Sequence, residues 1–293
     1  MVKITEPPLV VIVGPTASGK SEVALRIAKK YSGEIICADS RTVYRGMDIG
    51  TAKPSAQDQK DVPHWGLDLV EPNQRFSVAE FQQYAKHAIE DIRVRGRVPL
   101  LVGGSGLYID GVILDYQFGK TNPMLRERLE KMSLEELLYY CKKNNVKLPE
   151  NSKNRRYVIR TIERGITYSE GLSTLQPNTI VVGITTEKSI LFQRIHKRSE
   201  QIFRSGIIEE TRVLADKYGW NCEAMTANIY RLVKQFLEGD ITYSELKLLN
   251  EQSDRKLVKK QLTWFKRRSF IVWKGFDEAY DYIDSTLAEF VQS

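Results

Sequence analysis

The chain has little cysteine or histidine, three of each in 293 residues. Cys37, Cys141 and Cys222 stand far apart with no C-x-x-C spacing, which excludes a disulfide framework and a zinc finger and suggests a reduced, cytoplasmic setting. Long apolar runs are missing as well. The first, residues 9–13, ends after five residues at Gly14 and Pro15, too short for the core of a secretory signal, and no later run reaches the length of a membrane span. Internal repeats and low-complexity tracts are absent. Acidic residues are the minority, 37 against 44 Lys and Arg, and the net charge of +7 leans toward a polyanionic partner such as nucleic acid.

What is present is an ordinary globular composition, 42% hydrophobic, long enough for one large domain with an insert. Residues 9–13 (LVVIV) read as a buried strand, and Val23, Ala24, Ile27 and Ala28 repeat at the spacing of an amphipathic helix. EIICA (34–38) is a second strand, ending before Asp39. Ser77 and Glu80 form a capping box at the start of a helix whose face is Phe81, Ala85, Ala88 and Ile92, and VPLLV (98–102) is the next strand. This alternation predicts an α/β fold, a P-loop NTPase-like parallel sheet flanked by helices. From 116 to 177 only short, charged helices are legible, one with a capping box from Ser133 to Glu136, so these residues are expected to be a small all-helical insert domain. The core domain is then 1–115 with 178–293. TIVVGIT (179–185) returns to the sheet, helices follow from 187, and SFIVW (269–273) is a last short strand.

GPTASGKS (14–21) fits G-x-x-x-x-G-K-[ST] at every fixed position and lies between a strand and a helix. Gly14, Pro15, Thr16, Ala17, Ser18, Gly19, Lys20 and Ser21 are therefore the expected diphosphate- or nucleotide-binding residues. Backbone N–H groups converge on the anion, Lys20 adds a point charge, and the Ser21 hydroxyl suits a magnesium ion. The loop does not say whether phosphate is split, transferred or released. Asp39, at the end of the second strand, lies on the same sheet edge and is a candidate base; a turn cap or an indirect magnesium contact is the alternative.

GPTASGKS, then ADSRTVYRGMDIGTAKP, VPH, FSVAEF, VPLLVGGSGLYIDG, QRIHKRSEQIF and KKQLTWF occur in the order in which they stand in the tRNA dimethylallyltransferases, or tRNA isopentenyltransferases. The resemblance covers roughly residues 9–268. It implies transfer of a dimethylallyl group from dimethylallyl diphosphate to the exocyclic amino nitrogen of the adenosine 3′ of the anticodon, with release of pyrophosphate. By this resemblance Asp39 orients the amino group and takes its proton, Lys20 and magnesium at Ser21 neutralise the leaving group, and Ser105, where the family usually has threonine, completes the catalytic set and touches the tRNA. Ser105 is otherwise a helix cap. Gly103, Gly104 and Gly106 beside it leave room for backbone to approach a ligand.

The tRNA-binding residues implied are Asp39, Ser40, Arg41, Thr42, Ser105, Arg156, Arg160, Lys259, Lys260, Gln261 and Trp264. Arg155, Arg156 and Arg160 cluster on one insert helix, and residues 254–268 carry seven basic residues against one acid. On that helix Lys256, Lys259, Lys260, Lys266 and Arg267 share one arc, while Leu257, Val258, Trp264 and Phe265 share the other. The first arc suits RNA phosphates and the second suits packing. The chain departs from the family at Arg41 and Thr42 (usually Met-Gln), Trp65, Tyr157, ANIYRL (227–232, in place of a glycine-tyrosine motif), Asp254 and Lys260, mostly in RNA-contacting stretches. These departures leave the base preference open, while Asp39 and the phosphate loop are kept. The expected partners are the anticodon stem-loop of tRNA and dimethylallyl diphosphate, with no membrane, and the protein is expected to act as a monomer. An adenylate isopentenyltransferase or a P-loop small-molecule kinase would use the same loop but would not need the basic tail.

Overall fold

The computed structural model describes residues 6–118, 123–149, 151–164 and 175–292. Two compact units are distinguished, one of residues 1–113 with 175–293 and one of residues 114–174. The expected insert therefore lies partly outside the described residues, at 119–122, 150 and 165–174.

In the larger unit the apolar runs become strands: β1 (Leu9–Val13), β2 (Glu34–Ala38) and β4 (Pro99–Gly103), each buried at every position. A strand with no polar side is one covered on both faces, as in a parallel sheet between helices. The intervening elements are α1 (Lys20–Lys30), α2 (Ala56–Asp61), β3 (His64–Trp65), α3 (Val78–Val94) and α4 (Gly106–Ile113). The Ser77–Glu80 capping box is present at the start of α3.

The smaller unit comprises α5 (Pro123–Lys131), α6 (Leu134–Lys143) and α7 (Arg155–Arg164) around a buried cluster of Leu129, Leu137, Cys141, Val158, Ile159 and Ile162. The capping box from Ser133 to Glu136 opens α6. The chain then returns to the first unit as β5 (Thr179–Ile184), α8 (Lys188–Arg204), α9 (Ile207–Tyr218), a 3-10 turn (Ala224–Thr226), α10 (Asn228–Leu237), α11 (Tyr243–Phe265), β6 (Val272–Lys274) and α12 (Phe276–Gln292).

All six strands are parallel, in the order β3-β2-β4-β1-β5-β6. Val13 is paired with Gly103 and Gly183, and Ala38 with Gly103, so β1, β2, β4 and β5 finish level on one edge. The loops after β1, β2 and β4 consequently leave side by side, at the C-terminal edge where such sheets bind ligands. One face of the sheet is covered by α1 and α12 in a cluster that includes Ile12, Ile27, Leu100, Val182 and Ile283. On α3 and α4, the rings of Phe81 and Tyr108 stack at 4.3 Å.

Two expectations shift in detail. β6 covers residues 272–274 instead of 269–273, and β3 was not foreseen, because two residues carry no periodicity to read.

Candidate functional site

The phosphate loop is built from backbone geometry first. Gly19 caps α1 with φ +97°, a left-handed conformation that costs glycine nothing, and a Cβ there would lie 2.8 Å from the Phe276 ring. Lys20, the first residue of α1, folds back over the loop and donates from Nζ to the Pro15 carbonyl at 2.6 Å. Burial of its ammonium, with the Arg198 charge nearby, lowers its pKa to about 8 against the opposite pull of Asp39. The Ser18 hydroxyl is fully buried without a hydrogen-bond partner. Thr16 and Ala17 are held from α8, where Arg198 donates to the Thr16 hydroxyl and Arg194 to the Ala17 carbonyl at 3.5 Å. These two arginines belong to QRIHKRSEQIF, which carried the resemblance without being read as part of the site.

Asp39 emerges half-buried at the end of β2. One carboxylate oxygen accepts the Arg41 N–H at 2.8 Å, fixing the turn and leaving the second oxygen for other work. Ser105 is bound in the same edge. Its N–H donates to the Ala38 carbonyl at 3.3 Å and its hydroxyl accepts the Ser40 N–H at 3.1 Å, so its side chain ties β4 to β2. Thr42 is buried, with its hydroxyl donating to the Asp39 carbonyl at 3.3 Å, and is not brought to the surface with Ser40 and Arg41. Arg41 instead reaches the Glu223 carbonyl at 3.4 Å.

Helix α11 forms a wall of this edge. Gln261 accepts the Thr16 N–H at 2.8 Å and donates to the Gly104 carbonyl at 3.1 Å. Trp264 donates to buried Asp110 at 2.9 Å, and Arg268 donates to the same carboxylate oxygen at 2.5 Å. Burial raises the Asp110 pKa, against the opposing effect of Arg268 and Trp264. Two glycines of GGSGLY serve this wall: a Cβ on Gly104 would lie 2.3 Å from Gln261, and one on Gly106 2.3 Å from Trp264. A Cβ on Gly103 would instead meet the Ala38 carbonyl of β2, at 2.1 Å. Gln261 and Trp264 face inward, whereas Lys259 and Lys260 are exposed beside them. Val258 and Phe265 pack as their arc requires, but Leu257 stays 39% exposed.

The VYRGMDIGTAKP stretch is held by residues that no local pattern revealed. Glu210 on α9 accepts three backbone N–H groups, from Asp48 (2.9 Å), Ile49 (2.7 Å) and Gly50 (2.9 Å), and the Tyr230 hydroxyl at 2.8 Å. Lys53 is the second anchor, donating to the Tyr44 carbonyl at 2.7 Å and to Asp48 and Asp68 at 2.6 Å each. The motif therefore stiffens the segment that follows Asp39.

Arg156 and Arg160 lie on α7 in the other unit, Arg156 exposed and Arg160 half-buried. Ser21 is exposed in the first turn of α1. Among the described residues no group of three His, Cys, Asp or Glu could hold a metal. One hydroxyl is nonetheless a suitable protein ligand for magnesium, which takes its other oxygens from phosphate and water, so the residues present fit an ion that arrives with the diphosphate.

The IPP transferase family model matches residues 42–268, and a model described as isopentenyl transferase matches residues 7–67. A tRNA dimethylallyltransferase of Anoxybacillus flavithermus is 38% identical, over 96% of this chain and 92% of that protein. Its Bacillus subtilis counterpart is 34% identical over 92% and 91%. The full-length tRNA isopentenylpyrophosphate transferase of Bacillus halodurans superposes with a TM-score of 0.74 at 35% identity, over 98% of this chain and 99% of that one. A eukaryotic dimethylallyltransferase solved acting on tRNA shares the fold with a TM-score of 0.74 at 22% identity, over 96% of this chain and 77% of that one.

Proposed function

The chain belongs to the IPP transferase family, the tRNA dimethylallyltransferases, and on that premise we propose how its own residues carry the reaction and which donor they take. The donor is dimethylallyl diphosphate and the acceptor the exocyclic amino nitrogen of the adenosine 3′ of the anticodon. The allylic carbon–oxygen bond breaks, the nitrogen–carbon bond forms, and pyrophosphate leaves. The observation that carries this is the meeting of the phosphate loop with the ends of β2 and β4, stitched by Gln261 and Ser105.

Bond breaking puts negative charge on the leaving pyrophosphate, and preorganised donors stabilise it best. The loop N–H groups and the Lys20 ammonium are those donors, and the buried Ser18 hydroxyl is available to them. Ser21 would hold magnesium, which supplies further positive charge to the diphosphate when bound. Asp39 accepts a hydrogen bond from the adenine amino group and receives its proton as the nitrogen is alkylated. Ser105 fixes Ser40 and so the path of the Asp39 turn.

Arg41, Lys259 and Lys260 suit contacts to the RNA near the target, and Arg156 and Arg160, on α7 of the smaller unit, suit contacts to RNA phosphates. We further assign the reaction to the cytoplasm and to a single chain. No described helix is long and apolar enough to cross a membrane, and the three cysteines are free thiols.

The test is incubation with labelled dimethylallyl diphosphate and, separately, an anticodon stem-loop, AMP and ADP. Label in the stem-loop alone is expected. Label in AMP or ADP instead would assign the site to free nucleotides, and ATP hydrolysis without prenyl transfer would assign it to phosphoryl chemistry.

A further inference from the structure

Asp110, on α4, is 1% exposed and takes no part in the chemistry at the sheet edge. One of its oxygens, Oδ2, accepts three hydrogen bonds, from the Trp264 indole at 2.9 Å and from Nε and Nη2 of Arg268 at 3.2 and 2.5 Å. Its own helix is pinned from the α3 side, where Gln82 donates to the Gly111 carbonyl at 2.7 Å and Phe81 stacks on Tyr108. In this contact α4 is therefore the fixed member, and the end of α11, with the turn that follows it, is the held one.

A buried ion pair is weak evidence for stability, because well-packed apolar side chains of the same volume serve a core as well or better. What a carboxylate adds is direction. An indole whose N–H has a buried acceptor is held at one rotation and one depth, and this one lies against Gly106, where a Cβ would be 2.3 Å away. Gln261 stands three residues before Trp264, on the same face of α11. It accepts the Thr16 N–H at 2.8 Å and donates to the Gly104 carbonyl at 3.1 Å. Hydrogen bonds of this kind have only about half an ångström of latitude, so a small shift of the helix end breaks them.

We propose that Asp110 is a positioning residue for the anion site: through Trp264 and Arg268 it fixes the end of α11 and so places Gln261 on the phosphate loop. Asp110 itself touches no substrate. The inference rests on the reading of that loop as the seat of the diphosphate. It gives GGSGLYIDG a task besides that of Ser105, because Gly106 and Asp110 together receive the Trp264 ring.

The experiment is a double-mutant cycle on the full chain, with Asp110→Leu and Gln261→Leu, read calorimetrically as the dissociation constant for inorganic pyrophosphate. Asp110→Leu alone should weaken binding about tenfold, and its penalty should shrink below about twofold once residue 261 is already leucine. Asp110→Asn keeps an acceptor for the indole and should weaken binding only about threefold; where the leucine variant does not fold, the asparagine variant takes its place in the cycle. With dimethylallyl diphosphate and an anticodon stem-loop, Asp110→Leu should raise KM for the donor by the same factor and leave kcat within about twofold. An unchanged dissociation constant for pyrophosphate, or a penalty of equal size in both backgrounds, would overturn the proposal, since Asp110 would then serve the fold alone or act by another route. Failure of the donor reading shows separately, as an unsubstituted protein that binds pyrophosphate but transfers no dimethylallyl group.

Discussion

Gln261, near the end of α11, accepts the N–H of Thr16 at 2.8 Å and so fixes the middle of a phosphate loop that lies far away in sequence. Its amide nitrogen also holds the end of β4 through Gly104. Gln261→Leu should leave both backbone groups unpaired, cost about 1–3 kcal/mol of stability and raise KM for the prenyl diphosphate. Gln261→Glu keeps the acceptor but adds a negative charge, and donor affinity should fall further than in the leucine variant. Calorimetric titration of both variants checks the ordering; equal affinities would mean that Gln261 does not border the anion.

Asp39→Asn retains an oxygen for the Arg41 N–H, so the turn survives while the base is lost. Single-turnover transfer should slow by about 100-fold or more, with diphosphate affinity unchanged. A rate equal to that of the unsubstituted enzyme would remove Asp39 from proton transfer.

The Lys20 ammonium, lowered to about 8 chiefly by burial, is the form that attracts an anion. Diphosphate affinity should therefore decline as pH rises through about 8, and binding near that pH should take up a proton. Titration calorimetry in buffers of different ionisation heat measures the uptake, and Lys20→Met should abolish it. The sign for folding is opposite. The native state disfavours charged Lys20, so the destabilisation present below about pH 8 disappears as pH rises toward the ordinary lysine value of 10.5.

Removing Glu210 should disturb the site without touching it. Glu210→Ala leaves the N–H groups of Asp48, Ile49 and Gly50 without their acceptor, at a cost of about 2–3 kcal/mol. The denaturation midpoint should drop, and hydrogen exchange should rise at residues 47–54 before it rises in the sheet.

At the opposite end of β2, Glu34 is 1% exposed and is clasped by Arg95, Arg97 and Trp65. Burial pushes its pKa up, but the three donors outweigh it and the net shift is downward. Its contribution to stability is complete above the ordinary value of 4.5 and is lost as pH falls through the lower folded value. Glu34→Gln should be less stable at neutral pH by about 3 kcal/mol and should lose less stability on acidification. Unfolding curves at pH 7 and pH 3 test this.

Local signals accounted for much of the fold. The largely apolar runs at β1, β2, β4 and β5 and the paired Ser and Glu of two capping boxes are read within a few residues, and the phosphate loop has a fixed pattern. Arg194, Arg198 and Glu210 escaped because they act across the chain: a charged residue on a helix looks the same whether it faces solvent or an N–H group of a distant loop. Gln261 was legible only through family resemblance, Trp264 also through its place on the packing arc of α11, and Leu257 shows that a helical wheel assigns a face without knowing whether a neighbour covers it.

The pairing of Leu9 with Thr179 has a consequence for synthesis. At roughly 5–20 residues per second, β1 leaves the ribosome roughly ten to thirty seconds before β5 can join it, and the helices of the smaller unit emerge in between. Throughout that interval one edge of LVVIV has no strand partner, which invites chaperone capture or aggregation. A nascent chain halted before residue 179 would carry the whole phosphate-loop motif yet lack Arg198 and Gln261, which hold that loop in shape.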